Sequence, residues 1–302
     1  MVNVLKTEKF LFGFLLFTLF WLPLSLGANR PWAWALMQMS LFSIGGTLVL
    51  LNTSLLHQLY TKYRTFIILW VIFLAWQLIN IVPLPFALVE AIRPERVSYL
   101  LSEQWGNQEN VTSKWLSLSF DVGQSDVTFF KSLAYCFLFF IALTLVNSAK
   151  RLRYTLIVIS AAGIFQAIYG ALEVLSGIKY SLVFKQPVSH IATGSYIYKN
   201  HYANFLMLCL SAAIGYLIAS LHQDNTTSKR ERLRRLVKFW LSNKVLFRIG
   251  IIIMVIALVM SRSRMGNSAF FIAMTITATL GLIYFKPRQK SYITLFISML
   301  II

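Results

Sequence analysis

The chain has 302 residues, of which 58% are hydrophobic and only 13% charged, with a formal net charge of +18. A soluble domain carries roughly 25% charged and 45–50% apolar residues, so this composition excludes a water-facing globular surface. The basic excess excludes little by itself. In a chain this apolar, Lys and Arg gather in loops against anionic lipid, and no nucleic-acid partner is expected.

Taken in chain order, the first apolar run extends from Phe10 to Leu26 behind Lys6 and Lys9. It has the charge pattern of a signal peptide but no small-x-small cleavage site before Asn29-Arg30-Pro31, so it reads as a retained helix. Further apolar runs predict spans near 10–26, 32–51, 66–85, 129–147, 154–175, 202–221, 245–261 and 268–285, with a ninth beginning near 291. Each approaches the roughly 20 residues a spanning helix needs, and none alternates in polarity as barrel strands do. The expected fold is an all-α polytopic transmembrane bundle of about nine spans.

Placing the N-terminus in the cytoplasm puts most of the 28 Lys and Arg on one side: Lys6, Lys9, Lys62, Arg64, Lys150, Arg151, Arg153, the basic run from Lys229 to Arg248, and Lys286, Arg288 and Lys290. That is the orientation the positive-inside rule selects. Two connections are long. Residues 86–128 make a polar extracytoplasmic loop with Trp105 and Trp115, expected to form a small cap. Residues 222–245 make a basic cytoplasmic segment in which Leu233, Leu236, Val237 and Trp240 share one helical face. That pattern fits an interfacial helix on anionic inner-leaflet lipid, and docking of a protein partner is its alternative. Gly163, Ala167, Gly170 and Ala171 form a small-residue stripe that lets a neighbouring helix approach closely. Cys136 and Cys209 lie inside apolar runs and read as small buried hydrophobes. Only 12 residues remain from Ser291 to Ile302, so the sequence is expected to stop inside its ninth helix.

Polar groups are expensive in a bilayer and normally face an interior. In the orientation above, Gln38, Gln77, Asn80, Gln166 and Glu173 fall in the outer halves of their spans, and His201, Asn204, Ser261, Arg262, Arg264 and Asn267 at outer helix junctions. A polar cavity toward the extracytoplasmic face is expected. Two segments stand out within it, Gly194–Asn204, which contains Lys199, Asn200 and His201, and Ser261-Arg262-Ser263-Arg264-Met265-Gly266-Asn267-Ser268. A helix N-terminus favours anions, and guanidinium forks match phosphate oxygens, so together they would make a pyrophosphate clamp. Plainer roles compete. Arg262 and Arg264 also fit snorkelling anchors, His201 a hydrogen-bonded interface residue, and Glu173 a partner for a nearby cation. The sequence has no His/Cys/carboxylate cluster with metal spacing, no phosphate-binding Gly-Lys-Ser/Thr loop and no nucleophile elbow, so neither a metal nor a cofactor is expected.

The segments around Lys199-Asn200-His201-Tyr202-Ala203 and Ser263-Arg264-Met265-Gly266-Asn267 resemble the two signature stretches of the O-antigen ligase and polymerase family. Asn29-Arg30-Pro31-Trp32, Pro83-Leu84-Pro85, Leu118-Ser119-Phe120-Asp121 and Gly163–Gly170 add to the likeness in the right order. The resemblance implies a single transmembrane ligase-like domain over residues 1–302, multi-pass in the bacterial inner membrane, with its active site facing the periplasm. It implies a metal-independent glycosyltransferase of lipopolysaccharide biosynthesis. Such an enzyme takes a glycan from an undecaprenyl-diphosphate donor to lipid A-core or another glycan acceptor. Arg264, with Arg262, would hold the donor pyrophosphate, while Asn200, His201 and Asn267 would shape the site. Lys199 stands where the family often has an arginine. The family's catalytic base is a histidine on a large periplasmic loop, expected to lie beyond residue 302. Two other readings stay open: a non-catalytic carrier or flippase for a polyprenyl-linked substrate, and an inactive truncated remnant.

Overall fold

In lipid, a backbone must satisfy its own N–H and C=O groups, which leaves helices as the solution for runs this apolar. The computed structural model of the chain describes residues 2–103, 115–181, 183, 185, 187–188, 190–220 and 243–284. The ninth apolar run, Trp105 and the basic segment 222–245 as far as residue 242 lie outside the described residues.

The described residues are mostly helical. The long helices are α1 (Val2–Trp21), α2 (Pro31–Leu51) and α3 (Leu55–Ile81). After two short helices, α4 (Phe86–Ile92) and α5 (Pro94–Glu103), come α6 (Val122–Leu145), α7 (Ala149–Leu175) and α8 (Lys199–Ala219). Beyond them lie α9 (Asn243–Met260) and α10 (Arg264–Tyr284). Six of these stretches are long and apolar enough to cross a membrane: Lys6–Leu24, Pro31–Leu51, Leu55–Ile81, Val122–Leu145, Ala149–Leu175 and Lys199–Ala219.

Helix α3 decides what surrounds the chain. Phe66, Leu69, Val71, Ile72 and Phe73 are all exposed, Ile72 to 61%. Leaving one large apolar side chain in water forgoes about 1.5–3 kcal/mol, so a surface of this kind is stable against hydrocarbon and not against water.

Helices start earlier than hydropathy predicts. α3 begins at Leu55, not near 66, because His57, Gln58, Lys62 and Arg64 continue the helix past the apolar window. The helix bends where Tyr63 departs to φ −124°, ψ 27°. At the other end of α1, Pro23 lacks an N–H, and the chain winds into two 3-10 turns, Leu22–Leu24 and Leu26–Ala28.

The chain divides into two compact units, residues 1–12 with 34–145, and 13–33 with 146–302. In the first, α6 packs on α3, with Phe139 against Phe66 at 5.6 Å between ring centroids and Gln77 Nε2 donating to Ser132 Oγ at 3.0 Å. Residues 84–121 add a small core of Val89, Val97 and Leu118. There β1 (Leu84–Pro85) pairs antiparallel with β2 (Trp115–Leu116), Leu84 opposite Leu116.

In the second unit, α7, α8, α9 and α10 bury Ala167, Leu206, Cys209, Met254, Leu258 and Phe270 in one core. The small-residue stripe works as expected. A Cβ on Gly163 would strike Cys209 Cβ and come within 2.8 Å of Met254 Sδ, so α7 and α8 approach to backbone range. Cys209 is buried, Cys136 is half-buried, and both are free thiols.

Candidate functional site

One end of the second unit gathers the C-terminal ends of α7 and α9 and the N-terminal ends of α8 and α10. A buried polar knot secures it. Gln166 Nε2 donates to the Pro23 carbonyl at 2.8 Å and to Ser195 Oγ at 2.6 Å. Its Oε1 accepts the Ser195 backbone N–H at 3.0 Å, and Ser195 Oγ donates to the same Pro23 carbonyl at 2.8 Å. Tyr202, fully buried, donates its hydroxyl to the Gln166 carbonyl at 3.1 Å. Gly194 makes this approach possible. It sits at φ +54°, and a Cβ there would fall 2.5 Å from Gln166 Oε1. Burial pushes the Tyr196 phenol above its ordinary value, so the ring stays neutral where it packs on Tyr202 and Phe205.

The knot fixes the approach to α8, whose first three residues are Lys199, Asn200 and His201, all exposed. No side chain caps this N-terminus at Tyr198, which leaves the positive end of the helix dipole uncompensated by a capping oxygen. His201 stands edge-on to Tyr198, with ring centroids 5.9 Å apart.

The α9–α10 turn meets α8 directly. Arg262 occupies the left-handed region at φ +48°, where its N–H donates to the Val259 carbonyl at 3.0 Å and ends α9. Ser263 then starts α10, its Oγ accepting the Gly266 N–H at 3.3 Å and donating to Asn200 Oδ1 at 3.0 Å. Gly266 lies so close to α8 that a Cβ would be 2.7 Å from Ala203 Cβ. The Gly194–Asn204 and Ser261–Ser268 segments, far apart in sequence, are therefore clasped together, with the exposed side chains of Lys199, Arg262 and Arg264 at the same end of the unit.

The outcome for the sequence-selected residues is uneven. Asn200 is brought to Ser263 and commits its amide oxygen to the clasp. Asn267 is half-buried with a shielded Oδ1 that has no hydrogen-bond partner. Lys199, Arg262 and Arg264 are exposed cations, free to reach a ligand or a headgroup. Gln166 belongs to the knot and has no donor left for a cavity. Glu173 is buried beside the Tyr169 phenol, with Oε1 unpartnered. Among the described residues no cation pairs with it. Gln38, Gln77 and Asn80 fall in the other unit. Ser263 and Ser195, which organise the end, carry no signal of their own in the sequence, since buried serines are commonplace. Their importance comes from the partners that folding delivers. Among the described residues no three His, Cys, Asp or Glu side chains lie close enough to hold a metal. Compared with protein-family models, with curated proteins and with solved structures, the chain finds no match.

Proposed function

We propose that the chain is an O-antigen ligase-like glycosyltransferase of the bacterial inner membrane, or the donor-binding part of one. The clasped end of the second unit faces the periplasm in this reading, with the N-terminus in the cytoplasm and about nine spans in a single ligase-like domain. Residues 86–128 form its extracytoplasmic loop, and residues 222–245 lie on anionic inner-leaflet lipid. The observation that carries the reading is the Ser263–Asn200 hydrogen bond of 3.0 Å. It joins the two cation-bearing segments whose resemblance motivates the assignment, where independent snorkelling anchors would need no such tie.

Chemically, Arg264 and Arg262 supply forked donors for the donor pyrophosphate, and Lys199 adds a point charge at the α8 N-terminus. Asn200, His201 and Asn267 shape the polar wall. Transfer requires an acceptor hydroxyl of lipid A-core or another glycan to attack the anomeric carbon while undecaprenyl diphosphate leaves. The cations stabilise the charge that develops on that leaving group. The proton of the acceptor hydroxyl goes to a base, which none of these residues is assigned to be.

The test is reconstitution of the full chain in proteoliposomes with an undecaprenyl-diphosphate-linked glycan and a lipid A-core acceptor. Wild type is expected to bind the donor, and Arg264→Ala to weaken binding about ten- to hundredfold, the value of a charge-assisted contact. Movement of the donor across the bilayer without glycan transfer would support the carrier reading instead. Neither binding, transfer nor movement would support an inactive remnant.

A further inference from the structure

Two segments quoted in the sequence, Pro83–Pro85 and Leu118–Asp121, have no part in the diphosphate site, yet folding brings them together in the first unit. Leu84 and Pro85 pair with Leu116 and Trp115. The Ser119 N–H then donates to the Asn80 carbonyl near the end of α3 at 3.0 Å. Ser119 Oγ lies 2.6 Å from Ser125 Oγ and donates to the Asp121 carbonyl at 2.8 Å. Arg93 Nη1 donates to the Leu118 carbonyl at 3.0 Å, and its guanidinium lies over the Phe120 ring at 4.9 Å. These bonds hold open a cleft of about 420 Å³ lined by Trp76, Gln77, Asn80, Arg93, Phe120 and Asp121, among others. Small-ligand sites fall in the range of roughly 300–1,000 Å³.

The lining selects a class of ligand. The lining itself presents one guanidinium, Arg93, and one carboxylate, Asp121, while Arg96, buried and outside the lining, lies 5.5 Å from the Phe120 ring. An anion would meet Asp121 and a cation would meet Arg93, so the wall favours a neutral, polar molecule. Trp76 is 64% exposed and offers uncovered aromatic surface, while the Phe120 ring is packed by Arg93, Arg96 and Tyr99. Gln77 donates its amide to Ser132 Oγ, but its shielded Oε1 has no partner. A buried acceptor left open is costly, and this one lies in a residue that lines the cleft. Asp121 Oδ1 accepts the Gln124 N–H at 2.9 Å and caps α6, leaving the second carboxylate oxygen for a ligand.

A sugar ring answers each feature. Its hydroxyls both donate and accept, which suits planar amide, carboxylate and guanidinium groups, and its C–H face lies well against an aromatic ring. We propose that this cleft binds a pyranose unit of an uncharged glycan. The proposal does not rest on the diphosphate site, which belongs to the other unit and involves none of these residues.

The experiment places the full chain in lipid nanodiscs free of glycoside detergent and measures saturation transfer by NMR to glucose, galactose, mannose, rhamnose and N-acetylglucosamine. At least one sugar is expected to receive transfer on its ring C–H protons. Trp76→Ala should weaken its affinity about tenfold, with Trp76→Phe restoring most of it. Asn80→Ala should weaken it also, and sodium phosphate should not displace the sugar. If Trp76→Ala fails to fold by thermal melt, Asn80→Ala and Asp121→Asn decide the matter. No transfer to any of the sugars, transfer unaffected by these variants, or displacement by phosphate overturns the proposal. Failure of the diphosphate reading would show separately, as polyprenyl-diphosphate binding indifferent to Arg264→Ala.

Discussion

At the scale of single residues, Arg262 offers a way to separate side-chain function from backbone fit. Its φ of +48° is a conformation that costs a non-glycine residue about 1–2 kcal/mol and glycine nothing comparable. Arg262→Gly should therefore melt at the same temperature as wild type or higher, while binding a polyprenyl diphosphate less tightly. A simple snorkelling anchor would show no change in that binding. Gln166 sets the opposite case. Gln166→Leu leaves the Ser195 N–H without its partner and removes one of the two donors to the Pro23 carbonyl. At about 1–3 kcal/mol for a buried group left unsatisfied, the variant should show a clear fall in melting temperature, and an unchanged melt would show the knot to be dispensable. Neither role was legible in the sequence. Arg262 stood out for its charge and not for its backbone, and Gln166 for a polar cavity that it does not serve.

At the scale of elements, close helix contact is what gives the second unit its form. Gly163→Ala would drive a methyl into Cys209 on α8, and overpacking of this kind costs about 1–3 kcal/mol, to be read as a lowered melting temperature in detergent. The Ser263–Asn200 clasp joins α10 to α8, and a double-mutant cycle of Ser263→Ala with Asn200→Ala should return a coupling of about 0.5–1.5 kcal/mol. A coupling of zero would mean the two helices are held by apolar packing alone. The small-residue stripe was readable because helical periodicity places Gly163, Ala167 and Gly170 on one face. Helix boundaries were less so: α3 and α7 extend through charged residues that a hydropathy window discards. The clasp was invisible, since Ser263 and Asn200 are 63 residues apart and no local pattern links them.

At the scale of the whole molecule, composition alone pointed to a chain of apolar helices suited to a membrane, because a charged fraction of 13% is too small for a water-facing surface, and six stretches are long and apolar enough to cross one. Orientation rests on the distribution of Lys and Arg and is open to direct test. In the second unit, the start of α7 lies by the end of α8, where Arg153 donates to the Tyr216 hydroxyl at 3.1 Å, and the start of α10 lies by the start of α8. With Cys136 and Cys209 replaced by Ala, an impermeant thiol reagent outside the cell should label Ser268→Cys and spare Lys150→Cys. The reverse pattern would place the cationic end in the cytoplasm and end the periplasmic reading. The most direct measurement of the central claim is equilibrium binding of undecaprenyl diphosphate and of undecaprenol to the full chain in nanodiscs. The account predicts at least about tenfold tighter binding of the diphosphate, with that advantage weakened by added salt and lost in Arg264→Ala. Equal affinity for diphosphate and alcohol, or a preference that survives Arg264→Ala, would contradict it.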